Sequence, residues 1–243
     1  MSSWKEERLI EEIVVKAEGL EKTYYMGKVS VPALRGVNLA FRRGEFVVVM
    51  GPSGSGKTTL LNLIGALDKP TKGKVYIDEE DLTTLDEGKL TKIRRNKIGF
   101  VFQFYNLIPV LTAFENVELP MLISGKNRED RRRRAFQLLE MMGLSDRGEH
   151  RPEELSGGEQ QRVAIARSLA NGPSIILADE PTGDLDTKTG QEVILALHDA
   201  AKKENVTVVV VTHDPVVTEK ADRILEMRDG KIVNEKKRKK GKS

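Results

Sequence analysis

The stretch Phe46-Val47-Val48-Val49-Met50-Gly51-Pro52-Ser53-Gly54-Ser55-Gly56-Lys57-Thr58-Thr59-Leu60-Leu61 decides the fold. Its first five residues are apolar and rich in valine, as in a parallel strand buried on both faces. Gly51 to Thr58 satisfies the phosphate-loop pattern G-x-x-x-x-G-K-[ST] at every required position. Beyond it, Leu60, Leu61 and Ile64 recur at helical spacing, and the run stops at Gly65. Strand, glycine-rich loop and helix in that order make a cradle for an anion. Glycines let the backbone curl so that several N–H groups point inward. The helix N-terminus adds a partial positive charge. Lys57 is placed to reach the β- and γ-phosphates of a nucleotide, and the Thr58 hydroxyl to take one Mg²⁺ position.

The chain around this loop has 243 residues, enough for one large α/β domain or two small ones. Cysteine is absent, which excludes disulfides and cysteine metal sites. Net charge is +3, yet Asn234–Ser243 holds six Lys/Arg against one Glu. The body is therefore not a basic surface, and nucleic acid is not an expected partner. Glu6, Glu7, Glu11 and Glu12 interrupt any signal-peptide pattern at the N-terminus. The longest apolar runs, such as Val206–Val211, are far too short to span a bilayer. Work at a membrane would need a span from another chain.

Residues 1–12 read as a charged, loosely docked lead-in, and 236–243 as a basic tail. Ile13–Ala17 and Gly36–Phe41 alternate like strands, separated by a Gly/Pro-containing loop that holds Tyr24 and Tyr25. Lys74–Ile77 and Ile98–Phe102 are further strands, with a basic helix at Gly88–Arg95 between them. From about 106 to 165 the pattern turns helical, with a capping box at Thr112 and Glu115 and a helix over Arg128–Met142. The Arg131–Arg134 run reads as a solvated helix face. Ser156-Gly157-Gly158 opens another helix and leaves first-turn N–H groups bare, a second prepared anion site. Ser174–Ala178 is a buried strand ending in Asp179-Glu180. A helix over Thr187–Lys203, a core strand ending at Thr212-His213-Asp214, and a hairpin over Arg223–Glu235 turning at Asp229-Gly230 complete the chain. Alternating strands and helices call for a parallel sheet with ligands at the strand C-termini.

Several polar residues collect at that sheet edge. Asp179 can hold Mg²⁺ opposite Thr58. Glu180, one residue on, can polarise a water in line with the γ-phosphate. His213 can contact that phosphate or orient the water, and Gln103 can sense metal or water. Together they describe a nucleoside triphosphate hydrolysis site lacking one part, a donor that closes the γ-phosphate cage.

From about Ile13 to Glu235 the chain resembles the nucleotide-binding subunits of ATP-binding cassette (ABC) transporters. Leu155-Ser156-Gly157-Gly158-Glu159-Gln160-Gln161-Arg162 is similar to the family's signature motif. Ser53, Gly54, Ser55, Gly56, Lys57 and Thr58, with Thr59 after them, match the Walker A loop, and Ile175–Asp179 the Walker B strand. Glu180 matches the catalytic glutamate, Gln103 the Q-loop glutamine, Asp186 the D-loop aspartate, His213 the switch histidine and Tyr24 the adenine-stacking aromatic. Glu159 stands where Gln is commonest, and Gly183-Asp184 where Ser-Ala is more usual. Phe100–Pro109 and Leu111–Pro120 are similar to the branch of lipoprotein-releasing and macrolide-exporter ATPases.

The resemblance implies an α/β fold: a P-loop NTPase (RecA-like) core with a mostly parallel sheet, an N-terminal antiparallel β subdomain and a helical insertion. It implies an ATPase using ATP and Mg²⁺, with Glu180, His213 and Gln103 catalytic and Thr58, Gln103 and Asp179 around the metal. Ser156, Gly158, Glu159 and Asp186 would act in trans, in a head-to-tail dimer sandwiching two ATP molecules. Transmembrane permease subunits would bind beside Gln103, placing the chain in the cytoplasm, peripheral to the membrane. Two other readings compete. A soluble ABC ATPase acting on DNA or ribosomes finds support in the basic tail, but those relatives usually carry long insertions absent here. A different phosphate-loop enzyme, such as a small-molecule kinase, is opposed by the Leu155–Glu159 segment.

Overall fold

The computed structural model describes residues 13–27 and 29–238. The expected lead-in at 1–12 and the tail beyond 238 lie outside them. Among the described residues two sheets form, one of six strands and one of four. In the larger, β3 (Phe46–Met50), β6 (Ile98–Phe102), β7 (Ile175–Asp179), β8 (Thr207–Val211) and β9 (Arg223–Arg228) run parallel, and β10 (Lys231–Lys237) closes one edge antiparallel to β9. The smaller is antiparallel, ordered β2 (Val29–Arg42), β1 (Ile13–Met26), β4 (Lys72–Ile77), β5 (Glu80–Asp81).

The period of two along the central strands explains the layering. Val47, Val49, Ile175, Leu177, Val209 and Val211 face one core, shared with the antiparallel sheet and with α1 (Lys57–Ile64). Phe46, Val48, Ile176, Ala178, Val208 and Val210 face the other. That second core is roofed by α3 (Ala113–Ile123), α4 (Arg128–Met141), α5 (Gly157–Leu169) and α6 (Thr187–Glu204). A further helix, α2 (Glu87–Lys97), leads into β6. With both faces covered, the strands need no polar alternation.

Three local readings change. The expected loop between Ala17 and Gly36 is strand: β1 and β2 pair along nearly their whole length, with register shifts near Gly19. Gly19 has φ +56 and its N–H donates to Asn38 Oδ1 at 2.8 Å, so the glycine marks a bulge. Pro32 is tolerated because β2 is an edge strand. Tyr24 therefore sits in β1 rather than between two strands. At the other end β10 continues through Lys236 and Lys237, which pair with Ile224 and Arg223, so the basic tail begins two residues later than expected. Finally, the arginine run is not simply solvated. Arg131 donates to Glu118 at 2.8 Å, Arg134 to Glu204 at 2.7 Å, and Arg133 to Asp130, while Arg132 lies 5.2 Å from the Phe114 ring centroid. Arg131, Arg132 and Arg134 brace α4 against α3 and α6, while Arg133 stays on the solvated face of its own helix.

One close approach makes a stability test. A Cβ on Gly99, in the middle of β6, would clash with the backbone carbonyl of Ser168 on α5. Gly99→Ala is expected to destabilise the fold by about 1–3 kcal/mol, because helix or strand must shift. At roughly 2–4 °C per kcal/mol for a chain of this size, a thermal melt reads it directly.

Candidate functional site

Among the described residues, five of six α-helices carry a side-chain cap: Asp86 on α2, Thr112 on α3, Asn127 on α4, Ser156 on α5 and Asp186 on α6. The exception is α1. Its N-cap is Gly56, at φ +100 in the left-handed region, with no side chain to accept a first-turn N–H. Those donors stay available to an anion. Gly51 could not be replaced, since a Cβ there would meet the Met227 carbonyl. Lys57 is nearly buried, and its Nζ donates to the carbonyls of Gly51 (2.8 Å) and Pro52 (3.1 Å), arching over the loop. The Ser55 hydroxyl is buried within the loop and unpaired among the described residues. Ser53 and Gly54 form its exposed tip, and Thr59 follows in the first turn of α1.

Parallel pairing of β7 beside β8, and β8 beside β3, sets the acidic pair next to this loop. The Thr58 hydroxyl donates to Asp179 Oδ1 at 3.5 Å. Burial pushes the Asp179 carboxyl up, opposed by the Thr58 hydrogen bond; the Glu180 charge raises it further and Lys57 opposes. Hydroxyl and carboxylate here are hard oxygen donors, few enough to leave most Mg²⁺ positions to phosphates and water, so the pair fits that ion.

Glu180 leaves β7 with φ +46 and its N–H donating to Val211 O at 2.8 Å. Its Oε2 accepts from the Thr212 hydroxyl (2.8 Å) and from the His213 N–H (3.4 Å), and its Oε1 lies 2.9 Å from His213 Nδ1. Glu180 and His213 thus meet where the chain leaves β7 and β8. Their settings differ: the Glu180 side chain is 22% exposed and that of His213 76%.

Gln103 goes elsewhere. Its amide donates to Asp184 Oδ1 at 2.9 Å, and its side chain lies over Gly183, where a Cβ would be 2.9 Å from Gln103 Cδ. The two residues that depart from the usual D-loop are the two that receive this glutamine. Tyr24 donates its hydroxyl to Asp68 Oδ2 at 3.0 Å, with Lys22 Nζ 4.9 Å from its ring centroid. Burial raises the phenol's pKa, and a hydrogen bond with Thr59 opposes it, placing Tyr24 beside the first turn of α1.

The start of α5, expected as a second anion site, stands apart from the loop and is capped. Ser156 and Glu159 form a capping box: Glu159 Oε2 accepts from the Ser156 N–H (2.8 Å) and hydroxyl (2.9 Å). Glu159 Oε1 accepts from Arg147 at 3.2 Å, and those hydrogen bonds, led by the Ser156 N–H, hold its carboxyl below the usual range. Gly158 packs against Thr189 in the first turn of α6, which Asp186 caps through the N–H groups of Lys188 and Thr189, both at 3.1 Å.

Sequence reasoning passed over four residues here. Thr212, a polar residue following the four valines of β8, holds Glu180. Gln161 is fully buried on α5, and its amide donates to Phe102 O (3.1 Å) and Pro181 O (2.6 Å). Its position on the apolar face of the helix was the available signal. Arg167 clamps the carbonyls of Tyr105 and Asn106, both in left-handed conformation, and burial lowers its pKa. Asp184, the fourth, lies 81 positions from Gln103.

An uncapped helix behind a glycine loop, a lysine arched over it and a hydroxyl–carboxylate pair at the neighbouring strand end define a phosphate-loop nucleoside triphosphatase. A profile of the ABC transporter family matches residues 34–183. The chain is 54% identical over 228 residues to the uncharacterized ABC transporter ATP-binding protein MJ0796 of Methanocaldococcus jannaschii, covering 92% of this chain and 97% of that one. It is 50% identical over 222 residues to the macrolide export ATP-binding/permease protein MacB of Brucella melitensis, covering 91% of this chain but 34% of that longer protein. A dimeric structure of a post-hydrolysis state of the cassette MJ0796, bound to ADP and Pi, matches with TM-score 0.83 at 53% identity, over 92% of this chain and 98% of that one. The chain belongs to the ABC transporter family, as an ATP-binding cassette. It is an ATPase that uses ATP with Mg²⁺. Among the described residues no helix is long and apolar enough to cross a membrane.

Proposed function

We propose that this cassette is the motor of a transporter whose membrane spans lie in separate subunits. Two copies would close head to tail over two ATP molecules, as the reported dimers of MJ0796 encourage. Residues Ser53–Thr59 cradle the triphosphate, and Tyr24 lies against the adenine. Thr58 and Asp179 hold Mg²⁺, which neutralises charge on the phosphates when bound; Gln103 joins them on release from Asp184. Glu180 takes a proton from the attacking water and His213 steadies the γ-phosphate side. Ser156 and Gly158 present the start of α5 to the twin's γ-phosphate. Glu159 contributes by orienting Ser156, since its carboxylate is spent on that residue and Arg147. Asp186 fixes the start of α6 beside them.

One observation carries the transporter reading. An open groove of about 540 Å³ runs beside the β6 end and α3, floored by Phe100, Phe102, Leu119, Pro120 and Ile123. Phe100 and Phe102 stack at 5.8 Å, and Ile123 is 61% exposed. Such an apolar groove suits a helix from another chain. It lies at the root of the Gln103 loop, so occupancy there can bear on the ATP site. Docking through it would hold the cassette at the cytoplasmic face of the membrane. The test is co-expression with the membrane subunit encoded beside this gene. Tagged cassette should recover that subunit, and Ile123→Glu should cut recovery at least tenfold with far-UV circular dichroism unchanged. Equal recovery by the variant removes the groove from the proposal, and absence of any membrane subunit favours the soluble alternative.

A further inference from the structure

The Glu180 carboxylate has two tethers of unequal permanence. His213 is one, and its side chain is mostly in solvent. Thr212 is the other, and it is completely buried. Thr212 stands at the end of β8, its N–H donating to Val49 O at 3.2 Å on the strand that feeds the phosphate loop. Its hydroxyl oxygen accepts the Asp214 N–H at 3.0 Å, and its hydroxyl proton is turned to Glu180 Oε2 at 2.8 Å.

The arrangement sorts the two carboxylate oxygens. A carboxylate offers about four lone-pair sites. Oε2 spends two, on the Thr212 hydroxyl and the His213 N–H; Oε1 spends one, on His213 Nδ1. One acceptor position stays open, and it is on Oε1. We propose that Thr212 is the positioning residue of the hydrolysis reaction, pinning Oε2 so that Oε1 faces the attacking water. In that step the water oxygen bonds the γ-phosphorus and its proton passes to Glu180 Oε1. The bond from the γ-phosphorus to the bridging oxygen breaks, its electron pair leaving on ADP. The inference rests on Glu180 being the base, and adds that its orientation is set by a hydroxyl buried below it rather than by the exposed histidine alone.

The test compares Thr212→Val, which keeps the shape and removes the donor, with Thr212→Ser, which keeps the donor and removes a methyl. ATP hydrolysis is measured across ATP concentrations, alongside ATP-dependent dimerisation by size-exclusion chromatography. Thr212→Val is expected to lower kcat about tenfold or more, since a misplaced base loses proportionately, with KM for ATP within twofold. It should also accumulate the ATP-bound dimer that the natural chain consumes. Thr212→Ser should recover at least half of the natural kcat. Thr212→Ala removes the same donor without an added methyl and decides the matter if the valine variant does not fold. Natural kcat in the valine or alanine variant overturns the proposal, as does a serine variant as slow as valine. Glu180→Gln serves as reference. If it is inactive while Thr212→Val is fast, only the role of Thr212 falls; if it turns over normally, Glu180 is not the base.

Discussion

Glu180→Gln is expected to slow ATP hydrolysis by about 10²–10⁴-fold, the usual contribution of a positioned general base, while ATP affinity changes little. The geometry supports that separation. Glu180 leans on Thr212 and His213, just past β8, and makes no hydrogen bond to the phosphate loop among the described residues, so binding should survive its replacement. The glutamine carbonyl can still accept from Thr212, which preserves the turn at the β7 end. What disappears is the proton acceptor. With ATP bound and not cleaved, the closed dimer should persist, and size-exclusion chromatography with light scattering would detect twice the monomer mass in ATP but not in ADP. Turnover within tenfold of the natural chain would remove Glu180 from the role of base.

The second large effect concerns the start of α5. Ser156→Arg, placed in the Glu180→Gln background, is expected to abolish the ATP-trapped dimer while each monomer still binds ATP. Ser156 is exposed, and it lies outside the hydrogen bonds of its own chain's loop. Losing the cap alone costs about 1 kcal/mol, which a bundled helix tolerates. A guanidinium at the positive end of the helix opposes the dipole and fills the space where the twin's γ-phosphate would seat. Fluorescent-nucleotide titration reports monomer binding and light scattering reports assembly. A dimer formed at the natural ATP concentration would show that α5 takes no part in the twin's site.

Much of this site is legible in the sequence because its signals are local. Phe46–Thr58 carries strand, loop and helix start within thirteen residues, and Asp179-Glu180 closes an apolar run. What escaped was decided by partners far along the chain. Gly19, Pro32 and Gly36 punctuate any local reading, yet in the sheet they mark a bulge and an edge strand, so β1 and β2 lengthen. Gln103 ends its strand as expected, but its partner Asp184 became visible only when the ends of β6 and β7 met. Thr212 ends an apolar run and Gln161 sits on the apolar face of a helix, and nothing in their spacing says which carbonyl or carboxylate they will serve. The arginine run misled for a similar reason: its acids, Glu118 and Glu204, lie 13 and 70 positions away.

The single amide of Gln161 joins three pieces of machinery. From the middle of α5 it grips the backbone at the end of β6, just before Gln103, and the backbone just after Glu180. Helix, glutamine loop and acidic turn are thereby tied to one another through one side chain. Pressure from a membrane partner on the groove, which Phe102 lines, would therefore have a side-chain route to the backbone beside Glu180.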